Sequence, residues 1–443
     1  MDILEKGKYS HVVLKKALDA HGELSKRDRA FLTCLTEGCV ERLYELDYVI
    51  DCFSKLKTAK MKPLIRELLR MSVYQIKYMD SVPDRAAVSE ALRLAGKRGF
   101  GSLKGFVNGV LRNVAREYGS VSYPKREEGF SRWAKVVYSM PVWITEELLK
   151  EYGEERTERI LATSLSARPL SVRCNLSRAS IEEIVKSLEG QGIGVKSVKD
   201  IPSVLILEGY DRLSETEAFR EGFLQVQDIS SVLAGLSAGI KRGDFVLDVC
   251  GAPGGKSLHA ADLLMGTGHV EARDLTQEKT ALMKENIRRS GLSNISVKVW
   301  DALVLDVSMI QKADVVLADL PCSGMGIIGR KSDIKYKMTK EQQRELSALQ
   351  RKILSVVWQY VKPGGRLVFS TCTVFPSENR ENARWFTEQF PFTPVNLKEI
   401  LPKRFWGEGE QTEETAGEWL QLLPGERETD GFFIAVFRRN EIL

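Results

Sequence analysis

Residues 246–257 read VLDVCGAPGGKS, and this stretch decides the fold of the C-terminal half. An apolar, β-branched run enters a glycine-rich turn, and the turn opens onto a helical pattern, KSLHAADLL (256–264). A strand that turns sharply into a helix is the repeating unit of an open α/β sheet, whose ligands bind outside the carboxyl ends of the strands. Gly251, Gly254 and Gly255 let the backbone bend and approach a ligand closely, because they carry no Cβ. The spacing is neither the GxGxxG of a dinucleotide site nor the GxxxxGK[ST] of a P-loop. Alone, such a turn serves nucleotides and plain tight turns equally well.

Downstream the alternation continues as a doubly wound parallel sheet requires. VLDVC (246–250), HVEARD (269–274), ISVKVWD (295–301), DVVLADL (314–320), RLVFSTC (366–372) and FFIAVF (432–437) read as strands, with helices near 257–265, 277–290, 341–360 and 377–390. Asp274 ends the second strand, where a carboxylate accepts from ribose hydroxyls. Asp301 ends the third, within reach of an adenine amino group, and Asp319 ends the fourth. Each could be a helix N-cap, but successive strand ends bearing this set point to S-adenosylmethionine.

Upstream, 168–213 alternates PLSVRCNL, a helical IEEIVKSLEGQG and VLILEG, which predicts a small α+β module. GSVSYPKREE (119–128) reads as a linker. From Lys6 to Tyr118 the apolar spacing is helical throughout, as in HVVLKKAL, LIRELLRMSVYQIKYM and AVSEALRLA, with Ser25 as an N-cap and Pro83 and Gly99 as punctuation. Residues 1–140 hold 26 Lys and Arg against 17 Asp and Glu, although the whole chain is only +5. That excess suits a polyanion-binding appendage or a solvated helical surface. The expected division is an all-α domain at 1–125, a linker and α+β module at 126–222, and a Rossmann-like α/β domain at 223–443.

The 443 residues are 43% hydrophobic, enough for several cores. No run of 18 uncharged apolar residues occurs and the N-terminus MDILEKGKYS is charged, so a cytosolic chain without a membrane partner is expected. Seven cysteines form no CxxC pair and there are four histidines, which predicts neither a metal site nor a disulfide framework. A monomer is expected.

Two cysteines stand out. Asp319-Leu320-Pro321-Cys322-Ser323-Gly324 follows the fourth strand and Ser370-Thr371-Cys372-Thr373 ends the fifth, so a methyltransferase strand order would bring both thiols beside the cofactor methyl. Methylating cytosine C5, a poor nucleophile, requires a thiolate to add first at C6. Lys256 is a candidate for favouring that thiolate, and Asp319 for hydrogen-bonding or protonating N3 of the base. Cys34, Cys39, Cys52, Cys174 and Cys250 are expected to be unreactive.

LSKRDRAFLTCLTEGCVER, LLRMSVYQIKYMDSVPDRAAVSEALRLA and GFVNGVLRN resemble the helical domain of the NusB antitermination family. That resemblance implies binding of RNA or protein without chemistry; the helices could also only dock on the catalytic domain. CGAPGGK, DLPCSG and STC in this order resemble the RNA 5-methylcytosine methyltransferases, and with the NusB-like domain in front the chain resembles the small-subunit (16S) ribosomal RNA enzymes of the Sun/Fmu type. The resemblance implies Cys372 as nucleophile and Cys322 as the group that assists release. It also implies a cofactor site of Cys250, Gly251, Ala252, Pro253, Gly254, Gly255, Lys256, Asp274, Asp301 and Asp319, with S-adenosylmethionine as cofactor and RNA as partner. Gly251 stands where the family commonly has Ala, and Thr373 where Ser is frequent.

GRKSDIKYK (329–337) offers Arg330, Lys331, Lys335 and Lys337 as a phosphate grip or a solvated loop, and Glu378 and Asn379 could cap a helix or hold the active-site loop. The alternatives are the same chemistry on transfer RNA, and a non-catalytic RNA-binding assembly factor. Adenine-N6 methylation is disfavoured, because DLPC replaces the NPPY-type loop and amine methylation needs no covalent cysteine.

Overall fold

The computed structural model describes residues 1–166, 168–406 and 417–441. Among them the chain forms two compact units, one from Met1–Ser166 with Ile328–Met338, the other from Ala167–Ile327 with Thr339–Leu443.

The first unit is helical. Helices Leu43–Phe53, Pro63–Tyr78, Asp84–Lys97 and Lys104–Glu117 turn Leu46, Val49, Ile50, Ile65, Leu69, Val73, Val107 and Leu111 into one core. Ser25 caps helix Lys26–Glu41 by accepting from Asp28 N–H. The segment expected as a linker is stitched to these helices. Tyr48 Oη donates to Ser122 O at 2.6 Å, Tyr123 Oη donates to the Glu45 carboxylate at 3.1 Å, and Lys77 Nζ donates to Tyr123 Oη at 2.7 Å. A tyrosine that buries its ring while its hydroxyl finds partners anchors a segment that composition alone marks as loose.

The same unit takes in Ile328–Met338, which corrects the phosphate-grip reading of two lysines. Lys335 is buried, its Nζ 2.9 Å from Glu41 O, and Tyr336 Oη donates to Glu41 O and Ser139 O. Lys337 Nζ bonds the carboxylate of Asp333 and the carbonyl of Lys8, and Asp333 in turn accepts from Ser10 N–H and Oγ. These cations satisfy the helical unit's own acceptors.

In the second unit a small antiparallel sheet of order β2-β3-β1-β4 comprises β1 (Leu170–Cys174), β2 (Gly194–Ser197), β3 (Val204–Glu208) and β4 (Leu224–Val226). Helix Ile181–Glu189 opens with a capping box of Ser180 and Glu183 and buries Ile184 and Leu188 against this sheet. β4 lies beyond residue 222, where the module was expected to end.

The large sheet contains β5 (Phe245–Asp248), β6 (His269–Asp274), β7 (Ile295–Val299), β8 (Ala313–Asp319), β9 (Val361–Thr371), β10 (Phe392–Pro394), β11 (Trp419–Leu422) and β12 (Phe432–Arg439). Its order is β10-β12-β9-β8-β5-β6-β7, with β11 on β12; β5 to β9 run parallel and β12 antiparallel to β9. Alternate residues face opposite cores. Val246, Val270, Val315, Leu317 and Val368 point to one, and Leu247, Val316, Ala318, Leu367 and Phe369 to the other. Burial on both faces is why the strands read as continuous apolar runs. Among the described residues no helix is long and apolar enough to cross a membrane.

Candidate active site

Register places the two cysteines. Asp319 pairs with Ser370 where β8 and β9 run side by side, and Leu320 N–H still donates to Ser370 O at 3.0 Å. Cys322 and Cys372 therefore leave the sheet at neighbouring ends, and their Sγ atoms lie 3.4 Å apart. Both are half-buried. The hydrogen bond with Cys372, reinforced by burial and by the charges of Cys372 and Glu378, pushes the Cys322 thiol well above the usual cysteine range. Either sulfur can donate to the other across this contact.

The two loops are also joined through backbone. Gly326 N–H donates to Cys372 O at 2.9 Å, and Gly431 N–H to Gly326 O at 2.9 Å. A Cβ on Gly326 would fall 1.9 Å from Gly431 O, so only glycine permits this approach.

Asp319 holds Lys256 Nζ at 2.8 Å on one carboxylate oxygen and Ser370 Oγ at 2.7 Å on the other. Lys256, proposed from sequence as a neighbour of the thiolate, has the carboxylate as its partner, and its ammonium also lies 5.0 Å from the centre of the Phe432 ring.

The glycine-rich turn passes through a cis Ala252–Pro253 peptide and Gly254 at φ 110° into helix Gly255–Leu263. Asp274 fixes it by accepting from Ala252 N–H at 3.0 Å, while Lys279 Nζ sits 3.0 Å from the same carboxylate. Gly251 N–H donates to Arg273 O at 2.8 Å. Asp301 lies just past β7 and caps a turn by accepting from Leu303 N–H at 2.9 Å. Burial, with the charge of Asp248 next, raises the Cys250 thiol, which fits its unreactive reading.

Several participants escaped the sequence reading. Fully buried Asp248 lies under the turn, where burial pushes its carboxyl up to about 7 even though Ser257 Oγ donates to it at 2.5 Å. Its position at the end of β5 was the available signal. Buried Arg273 bonds Glu271 and Asp306 and lies 5.3 Å from the Trp300 ring centre, bracing the ends of β6 and β7 from which Asp274 and Asp301 emerge. Ser323, Gln343 and Gln350 converge on Glu378, a grouping no local motif announces.

Comparison with known proteins places this arrangement. Residues 238–438 match the family model described as 16S rRNA methyltransferase RsmB/F, 1–116 match the NusB family, and 140–212 match the RsmF/B-like ferredoxin-like domain. The probable ribosomal RNA small subunit methyltransferase B of Bacillus subtilis is 36% identical over 439 residues, covering 98% of this chain and 95% of that protein. The chain belongs to this methyltransferase family. Along this chain the three matches run in the order NusB family, ferredoxin-like domain, methyltransferase. Among solved structures, that of the protein PH0851 is 25% identical, covers 96% of this chain and 93% of that one, and superposes with a TM-score of 0.81. A methyltransferase homolog protein from Pyrococcus horikoshii is 27% identical with a TM-score of 0.60, covering 69% of this chain and 97% of that one. The family assignment makes the chain an RNA methyltransferase and sets aside the non-catalytic assembly factor.

Proposed function

We propose that this methyltransferase uses S-adenosylmethionine to methylate C5 of a cytosine in small-subunit ribosomal RNA, with Cys372 as nucleophile and Cys322 assisting release. The observation that carries this reading is the 3.4 Å approach of the two sulfurs at the neighbouring ends of β8 and β9.

The cofactor would supply an electrophilic methyl on its sulfonium. The glycine-bearing turn from Cys250 to Lys256 and the carboxylates of Asp274 and Asp301 suit its binding, because close backbone approach and strand-end carboxylates are what a nucleoside with a ribose diol needs. Asp319 completes the set beside the base.

Cys372 as a thiolate adds to C6 of the pyrimidine, and the electron pair moves toward N3, where a proton passed from the Lys256 ammonium through Asp319 meets the developing charge. C5 becomes enamine-like and takes the methyl. Once C5 has given up its proton to solvent water, the electrons of the C5–H bond form the C5–C6 double bond, the C6–S bond breaks and Cys372 leaves as a thiolate. A proton on the Cys322 sulfur, 3.4 Å away, can then be given to the departing sulfur, which favours elimination. The basic excess of residues 1–140 supplies sequence-independent affinity for the RNA backbone. Action on ribosomal RNA in the cytosol, by a monomer, is consistent with this scheme.

The test separates the thiols by the step each serves. Cys372→Ala should give neither methylated product nor covalent complex. Cys322→Ala should still attack and transfer but stall in release, leaving radiolabelled RNA attached on a denaturing gel. A retained band with Cys372→Ala would reverse the roles, and no band with either variant would remove the covalent mechanism. Bisulfite sequencing of total RNA with and without the gene would distinguish ribosomal from transfer RNA and identify the cytosine.

A further inference from the structure

We infer that two consecutive residues, Glu378 and Asn379, form one positioning bracket that sets the two catalytic sulfurs against each other. Glu378 holds the Cys322 loop and Asn379 holds the Cys372 turn. The inference rests on the two-cysteine mechanism above and assigns separate residues to its two halves.

Glu378 is fully buried and accepts four donors. Ser323 N–H reaches it at 2.8 Å, Ser323 Oγ at 2.6 Å, Gln343 Nε2 at 3.4 Å and Gln350 Nε2 at 3.3 Å. Gln350 Nε2 also donates to Pro321 O at 2.9 Å, so the residues on both sides of Cys322 are held by one cluster. Only an ionised carboxylate is acceptor-only on both oxygens; a glutamine would turn its amide N–H groups toward at least one of these donors. Burial raises the Glu378 carboxyl, and the bonds from Ser323, Gln343 and Gln350 oppose that rise.

Asn379 does the same for Cys372. Its Oδ1 accepts from Thr371 Oγ1 at 2.5 Å, and its Nδ2 donates to Thr373 O at 3.0 Å and to Gln421 Oε1 at 2.7 Å. The residues before and after Cys372 are therefore both tied to one amide. A 2.7 Å contact between Ser323 Oγ and Thr373 Oγ1 closes the ring between the two halves. Both bracket residues lie where the short turn Pro376–Glu378 meets helix Arg380–Gln389, so neither loop can shift without its anchor.

The consequence is a division by reaction step. Disturbing Glu378 moves Cys322 and should impair release; disturbing Asn379 moves Cys372 and should impair attack. The full-length variants Glu378→Gln, Ser323→Ala and Asn379→Asp would be assayed with Cys322→Ala as reference, and RNA adduct scored on denaturing gels. Losing a charged hydrogen bond changes a rate roughly ten- to a hundredfold. Adduct should therefore accumulate roughly tenfold above wild type in Glu378→Gln and less in Ser323→Ala, and fall below wild type in Asn379→Asp. Alkylation of Cys322, read by mass spectrometry, should quicken in Glu378→Gln because a nearby negative charge is gone.

Parallel loss of product without adduct in Glu378→Gln and Asn379→Asp, with unchanged Cys322 alkylation, would overturn the bracket. If Glu378→Gln fails to fold, Ser323→Ala decides by the same two readouts. Absence of adduct in Cys322→Ala itself would instead overturn the two-cysteine mechanism, which keeps the two failures apart.

Discussion

Lys256 Nζ and Asp319 Oδ2 are 2.8 Å apart, an ion pair joining the turn after β5 to the end of β8. Asp319 is thereby fixed in direction, with Ser370 on its other oxygen. Lys256→Met should remove the ion pair and leave the carboxylate held by Ser370 alone. Single-turnover methyl transfer is expected to fall roughly 10²-fold, the scale of removing one oriented electrostatic partner. A rate within about threefold of wild type would contradict the pairing's role in catalysis.

Asp274 holds the glycine-rich turn from outside through Ala252 N–H. Asp274→Ala should weaken S-adenosylmethionine binding in calorimetry by roughly ten- to a hundredfold, the cost of one or two charged hydrogen bonds. Unaltered affinity would place the cofactor elsewhere.

Gly326 is in contact with Gly431 and Cys372 through its backbone. Gly326→Ala should cost about 2 kcal/mol by overpacking and separate the two cysteine loops. Gly101→Ala is the control, since nothing lies within 4 Å of a Cβ there. Thermal melts showing equal stability for both variants would refute the close approach.

Asp306 supplies a pH-dependent part of stability. Burial raises its carboxyl, but the bonds from Ser308, Lys298 and Arg273 outweigh it and draw the value from 3.8 to about 2. A group lowered on folding stabilises above its unfolded value and loses that contribution as pH falls through the folded one. Asp306→Asn should thus be about 2 kcal/mol less stable than wild type above pH ~5, with the gap closing toward pH ~2. Denaturant titrations showing a pH-independent gap would exclude this linkage.

Much of this architecture was legible in local pattern. β6 spans His269–Asp274 as its alternation predicts, and the apolar runs of β8 and β12 mark strands buried on both faces. The elements that escaped are short or depend on distant partners. β4 and β10 have three residues each, too few for a period to register, and both are edge strands of their sheets. β9 begins at Val361 and carries Pro363, Gly364 and Gly365, residues that argue against a strand until β8 is seen beside it. In the site, the cysteine motifs announced themselves because their chemistry is rare. Lys256 could not be assigned to Asp319 because 63 positions separate them, and Lys335 reads as a surface cation until the carbonyl of Glu41 is found next to it.

The segment Ile328–Met338 gives a further test. A chain beginning at residue 141 lacks Glu41, Tyr138 and Ser139, the acceptors for Lys335 and Tyr336. Limited trypsin digestion should cut that shortened chain within 328–338 and leave the intact chain whole there. Equal resistance of both would show that the segment does not depend on the helical unit.

That same segment orders events on the ribosome that makes the protein. The first 166 residues emerge early, yet the eleven that complete their unit are synthesised only after residue 327. Domains of a nascent chain usually fold as units in order of appearance, but this helical unit must wait, with the acceptors of Lys335 uncovered, until most of the catalytic sheet has been translated. Completion of the N-terminal unit therefore comes late, and a chain that stalls before Met338 leaves both units unfinished.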